Sequence, residues 1–174
     1  ELSREVGLIT GAAGGIGRAI ARGLVDRGAS VVVTDVDRRG AEQLADELNR
    51  RAGRRRALGL ALDVTEERSI DRAFDETLRA FGGLDFLVSN AGVAHVAGLE
   101  RLARAEWERS FTVNATGHFL VARRAASGRR TPSGSGAKWR GSQPFRSAPL
   151  AFTHRTSCGR PKRSRARHLL EVLP

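Results

Sequence analysis

Tyrosine and methionine are absent from the 174 residues, and cysteine occurs once, at Cys158. Without a phenol, no active site built from these residues alone can use one as its proton donor. A single thiol closes no internal disulfide, so nothing points to an oxidising compartment and a cytoplasmic location is expected. The chain begins at Glu1 without a Met, so a preceding stretch is expected, and any targeting segment in it is out of view. No apolar run nears the length of a bilayer crossing, so a soluble protein with no membrane partner is expected. His95, His118, His154 and His168 share no ligand-like spacing, and no metal site is expected. Proline and lysine are missing from residues 1–125; all five prolines and both lysines come later.

Arginine, by contrast, is abundant. Lys and Arg total 30 against 19 Asp and Glu, a net charge of +11 that ordinarily signals an acidic partner such as nucleic acid. The excess is local. Residues 1–125 carry nineteen basic and eighteen acidic side chains, whereas residues 126–174 carry eleven and one. Two compositions are therefore joined near Ala125, and the chain divides into an ordered unit, 1–125, and an Arg/Ser/Gly/Pro-rich tail, 126–174. The tail holds Trp139, Phe145 and Phe152 as its aromatics and has no zinc spacing, recognition helix or stacking platform. No specific nucleic acid is expected; non-specific binding through the basic tail is the lesser alternative.

Within the first 125 residues, short apolar runs alternate with helical spacing, the pattern of βα units feeding a parallel sheet. Val6, Leu8 and Ile9 form a short strand. Ile16, Ile20 and Leu24 recur at i, i+4, i+8 with Arg18, Arg22 and Asp26 opposite, which predicts an amphipathic helix packed through those three apolar residues. Val31, Val32 and Val33 run without alternation, as in a central strand covered on both faces. Ala41, Leu44, Ala45 and Leu48 mark a second helix, ended near Gly53, and Leu58, Leu60 and Leu62 a third strand. A helix starting at Thr65 carries Ile70, Ala73, Phe74, Thr77, Leu78 and Phe81 on one face as far as Gly82. Leu84–Val88 is the fourth strand, and Trp107 and Phe111 open a last helix continued by Val113, Gly117, Leu120 and Val121. Beyond Arg124 no sustained period exists; the tail reads as disordered, with one or two helical turns at most around Leu169, Leu170, Val172 and Leu173. The fold class is α/β, an incomplete Rossmann-type doubly wound parallel sheet.

The chemistry begins at Thr10-Gly11-Ala12-Ala13-Gly14-Gly15-Ile16-Gly17, a glycine-rich turn between a strand and an amphipathic helix. Backbone amides at such a helix start point at the occupant of the turn, and the helix dipole favours negative charge, so a pyrophosphate fits. Asp35 ends the valine strand twenty residues after Gly15, where a carboxylate accepts hydrogen bonds from both ribose hydroxyls. Its charge repels a 2′-phosphate and favours NAD over NADP, although Arg38 and Arg39 lie close by.

These residues resemble the classical short-chain dehydrogenase/reductase (SDR) family. The pattern Thr10-Gly11-x-x-x-Gly15-Ile16-Gly17 is similar to that family's cofactor signature, more specific than a generic dinucleotide fingerprint. Asp63-Val64 resembles its adenine-contacting pair. Asn90-Ala91-Gly92 matches the end of its Asn-Asn-Ala-Gly signature, with Ser89 in place of the first Asn, and implies a segment that steadies the sheet beside the cofactor. Asn114 sits where the family has its catalytic asparagine, implying a bound water in a proton relay. The resemblance covers residues 5 to about 125. It implies NAD as cofactor, a small-molecule alcohol or ketone as substrate, and Thr10, Gly11, Gly15, Ile16, Gly17, Asp35, Asp63, Val64, Asn90, Ala91 and Gly92 around the dinucleotide. It also implies pairing of subunits through the helix carrying Asn114 and the one after the catalytic Tyr, of which only the first is present, so a homo-oligomer would have half of that interface.

The family's reaction moves a hydride between nicotinamide and a carbonyl or alcohol carbon, and the alkoxide formed on reduction must be protonated. In the family a Tyr, with a Lys four residues on, supplies that proton. Cys158 and Lys162 have the spacing, but Pro161 lies between them and no helical pattern surrounds them. The chain as written is therefore expected to lack turnover. The shift in composition at Ala125 leads us to expect that the remaining residues come from a GC-rich gene read in the wrong frame, with a truncation as the competing account.

Overall fold

Burial dictates the sheet. Val6–Thr10 (β1) is closed to solvent along its whole length, and Ser30–Asp35 (β2) is closed at all four inner positions, Val31 to Thr34. Such strands need cover on both faces, and the computed structural model, which describes residues 2–127, supplies it. Four parallel strands stand in the order β3-β2-β1-β4, with Ala57–Ala61 as β3 and Phe86–Val88 as β4. The register sets Leu8 beside Val32 and Ile9 beside Val33. The valine run is thus an inner strand, as its lack of alternation predicts.

Two cores follow from the alternation of side chains along β1 and β2. On one face Ile9, Val31 and Val33 pack with Ala21, Val25, Leu44 and Leu48. These come from helices Gly15–Asp26 (α1) and Arg38–Ala52 (α2). On the other, Leu8 and Val32 pack with Ile70, Phe74 and Val121. These belong to Glu67–Phe81 (α3) and His118–Ala126 (α5). Arg124 fastens that pair: its guanidinium donates to Asp71 at 2.7 Å and Asp75 at 3.0 Å and lies 5.1 Å from the Phe74 ring centre. Gly53 and Gly82 close α2 and α3 in the left-handed region, φ 65° and 75°.

Three sequence expectations need correction. The buried stripe of α1 is Gly17, Ala21 and Val25, whereas Ile16 is 74% exposed. The helix meets the sheet through its smallest residues because its backbone lies against the preceding turn, so the bulkier Ile20 and Leu24 fall at the margin. Thr65 does not start α3; its hydroxyl and amide both donate to Asp63 Oδ1, at 2.7 and 2.8 Å, and the helix begins two residues later. The fourth strand is shorter than Leu84–Val88, since the Asp85 carboxylate takes the Val6 amide at 2.8 Å and occupies the position a ladder carbonyl would fill.

The last helical run is continuous but not uniform. Arg104–Phe111 (α4) passes into a π-helical segment, Thr112–Gly117, and then into α5. Spacing such as Val113, Gly117, Leu120, Val121 fits this wider winding as well as a plain α-helix, so the pattern does not reveal it. The expectations for the tail, including its disorder, its terminal helical turns, Cys158 with Lys162 and the wrong frame, lie outside the described residues, apart from Ala126 and Ser127, which finish α5. Among the described residues no helix is long and apolar enough to cross a membrane, and no three His, Cys, Asp or Glu are grouped to hold a metal ion.

Candidate functional site

With strand order β3-β2-β1-β4, the chain reverses its winding between β1 and β4, and a crevice opens at the carboxyl ends of the strands. There the structure has a cleft of about 680 Å³. Its floor is the turn after β1, whose backbone can close so tightly only because side chains are missing. A Cβ on Gly11 would sit 2.7 Å from Ala91 Cα, and Gly11 has φ 63°. One on Gly17 would sit 2.5 Å from the Gly11 carbonyl oxygen. Gly15 differs: a Cβ there meets nothing within 4 Å and would project into open space.

Helix α1 starts at this floor without a capping side chain, and no acid stands in its first turn. Its leading amides therefore lack a side-chain acceptor, and the positive end of the helix dipole faces the cleft. Asp35 stands at the rim. One carboxylate oxygen accepts from Ala13 N at 3.0 Å and the other from Asp37 N at 3.0 Å, which fixes the group and leaves one lone pair on each oxygen.

Gly11, Gly15, Ile16, Gly17, Asp35, Asp63, Val64, Asn90, Ala91 and Gly92 all line the cleft. Thr10 does not line it. It is fully buried behind the wall, where its hydroxyl oxygen accepts the amides of Asn90 at 2.9 Å and Ala91 at 3.0 Å. Its place at the end of a strand closed on both faces keeps it from any ligand. Asn90 answers from the other side, its Nδ2 donating to the carbonyls of Thr10 and Gly11, both at 3.0 Å. Ser89, the departure from the signature, has its hydroxyl 2.5 Å from His118 Nδ1.

Asn114 lies beside the cleft rather than in its wall. Its side chain pairs with the Val93 backbone, Oδ1 accepting from N at 2.9 Å and Nδ2 donating to O at 2.8 Å. It sits inside the π-helical segment and caps no helix. The wall also contains Val36, Leu62, Thr65, Val93, Arg109, Thr112 and Val113, which no motif marks. Arg109 and Thr112 are exposed polar residues on a helix, where periodicity carries no signal.

Comparison with known proteins agrees with this geometry. The sequence profile of the short chain dehydrogenase family matches residues 5–135, ten residues past the change in composition. An uncharacterized oxidoreductase, YuxG, of Bacillus subtilis is 42% identical over 125 residues, 72% of this chain and 18% of that protein. The D-threitol dehydrogenase of Mycolicibacterium smegmatis is 39% identical over 137 residues, 79% of this chain and 52% of that one. Among solved structures, the 3-ketoacyl-(acyl-carrier-protein) reductase of Brucella melitensis, complexed with NADH, superimposes with a TM-score of 0.68 at 36% identity, covering 73% of this chain and 50% of the other. The chain spans about half the length of that reductase and of the threitol enzyme. With its doubly wound sheet, its glycine turn and a profile match over three quarters of its length, the chain belongs to the short chain dehydrogenase family of oxidoreductases, which use a nicotinamide cofactor.

Proposed function

We propose that residues 1–125 are a unit for binding NAD(H), the cofactor part of a dehydrogenase acting on an alcohol/carbonyl pair, and that residues 126–174 contribute nothing to it. One observation carries the reading: a glycine turn with open space above Gly15, an uncapped helix start and the Asp35 carboxylate all face one cleft. A nicotinamide dinucleotide fits this cradle. When bound, its nicotinamide ring takes or gives the hydride.

The chain's own residues then have separate tasks. Amides at Gly15, Ile16 and Gly17 hold the diphosphate. The free lone pairs of Asp35 accept the ribose hydroxyls, and its negative charge disfavours a 2′-phosphate, hence NAD over NADP. Since Asp35 ends β2, the adenosine runs toward the exit of β3, where Asp63 and Val64 stand, and the nicotinamide toward Asn90, Ala91 and Gly92 at the exit of β4. Thr10 acts at one remove, by fixing the β4 exit to the turn. In the family the position of Asn114 orients a water of the proton relay; in this chain its side chain holds the Val93 backbone. Among the described residues of the cleft no phenol stands to donate a proton to a nascent alkoxide.

Calorimetric titration tests the assignment. NAD binding in the micromolar to millimolar range, weaker NADP binding and a further loss of NAD affinity in Asp35→Ala are expected. Heat from neither nucleotide overturns the proposal. The absence of Tyr favours a second reading, a chain that binds NAD without being an enzyme in its own right. An assay of nicotinamide absorbance over a panel of secondary alcohols separates the two: turnover above background contradicts the second reading, and silence with NAD binding supports it.

A further inference from the structure

Helix α4 brings a cation to the cleft that the family signatures do not include. Arg109 lines the cavity together with Thr112 and Val113, and among the described residues it is the one basic side chain in the wall. Its acidic neighbours on the helix are engaged elsewhere: Glu106 lies 2.7 Å from His95 Nε2, and Glu108 lies 2.7 Å from Arg104 Nε.

Its position along the cleft follows from the packing of the same helix. Gly117 lies on Val64 so closely that a Cβ there would be 2.6 Å from Val64 Cγ2. Val113, four residues earlier, packs against the cluster that holds Leu62 and Val64, and Arg109, four residues before Val113, lines the cavity with it. Arg109 thus shares the cavity wall with the loop Leu62–Thr65 at the exit of β3. Both charged side chains nearest the glycine floor and the β3 exit, Asp35 and Asp63, are acidic, and both are tied to backbone amides.

We propose that Arg109 closes the adenine end of the cleft by laying its planar guanidinium on the base, so that the purine is held between Arg109 and the Val64 side. The inference rests on the NAD reading above and extends it. A guanidinium suits this task better than an ammonium because it is flat, weakly hydrated and able to stack while its edge stays in water. Stacking at a partly exposed site changes affinity by about fivefold.

The test compares the full chain with Arg109→Ala and Arg109→Lys, using NADH, AMP and reduced nicotinamide mononucleotide as probes. The expected result for Arg109→Ala is a loss of about fivefold for both NADH and AMP, with the mononucleotide unaffected. Arg109→Lys recovers less than half of that loss, and the ratio between variants persists at about 0.5 M NaCl, where an exposed ion pair to phosphate is screened. Full recovery with Lys, or a loss that vanishes in salt, overturns the proposal in favour of a phosphate contact. An equal loss for the mononucleotide, or no loss for AMP, overturns it as well. Failure of the unchanged chain to bind NADH instead defeats the cofactor reading itself, whereas binding indifferent to Arg109 defeats only this extension. Arg109 is exposed on its helix, so thermal unfolding of both variants is expected to match the parent.

Discussion

The middle of the sheet and its β4 edge are built to different standards. Around β1 and β2 every inner position is closed, and the glycine turn is packed so tightly that two of its residues exclude even a methyl group. Around β4, three half-buried residues pair with a single neighbouring strand, and the adjoining helices show Trp107, Phe111 and Phe119 more than half exposed. The difference teaches that the tightest packing lies in the middle of the sheet, beneath the glycine turn, and slackens toward the edge. The β4 side keeps large apolar surfaces that nothing among the described residues covers.

Substitutions can break that contrast. Gly17→Val places methyl groups into the Gly11 carbonyl and is expected to cost about 3 kcal/mol and abolish NADH binding; urea unfolding and fluorescence titration measure both. Thr10→Val keeps the shape but strips two half-buried amides of their acceptor, for an expected loss of about 2 kcal/mol in urea unfolding. Gly15→Val separates fold from function on the same turn. Its side chain enters open space, so stability is expected to stay within about 1 kcal/mol of the parent while NADH affinity falls at least about tenfold. On the β4 side, Phe119→Ser removes an exposed ring whose one cationic partner is Arg123, 5.4 Å from its centre, and is expected to change stability by under about 0.5 kcal/mol. An effect at Phe119 as large as that at Thr10 would erase the distinction between the middle of the sheet and its β4 edge.

The smallest effect concerns acid. Arg51 donates to Asp26 at 2.8 and 3.0 Å and holds its carboxyl below the ordinary value of 3.8. A depressed folded-state pKa stabilises the protein above the unfolded value and ceases to do so as pH falls through the folded one. Unfolding followed below pH 4 is therefore expected to lose slightly less stability in Asp26→Asn than in the parent, the pair lying at the surface with about half of each side chain exposed.

The sequence announces much of this molecule because its signals are local. The unbroken valines of β2, the periodic face of α3 and the glycines ending α2 and α3 each follow from neighbours in the chain. The Gly11–Gly17 turn and Asp35 are legible for the same reason, since a strand, a tight bend and a helix start must come in that order. What escapes is set by distant contacts. Ile16 reads as core but faces solvent because Gly17 must touch Gly11. Thr10 reads as a ligand contact but serves Asn90, eighty residues away. Arg109 reads as an ordinary helix surface, and only the packing of its helical run against the sheet brings it into the cleft wall.

The π-helical segment fixes where that arginine ends up. Its wider winding accommodates about one residue more than an α-helical turn, so the part of the helix upstream is indexed against the part downstream by roughly 100°. Dropping a single residue there, Ala115 for instance, would leave α5 seated on α3 and swing α4 about its axis like a dial moved by one notch. Arg109 would then point away from the crevice without any change to its own side chain.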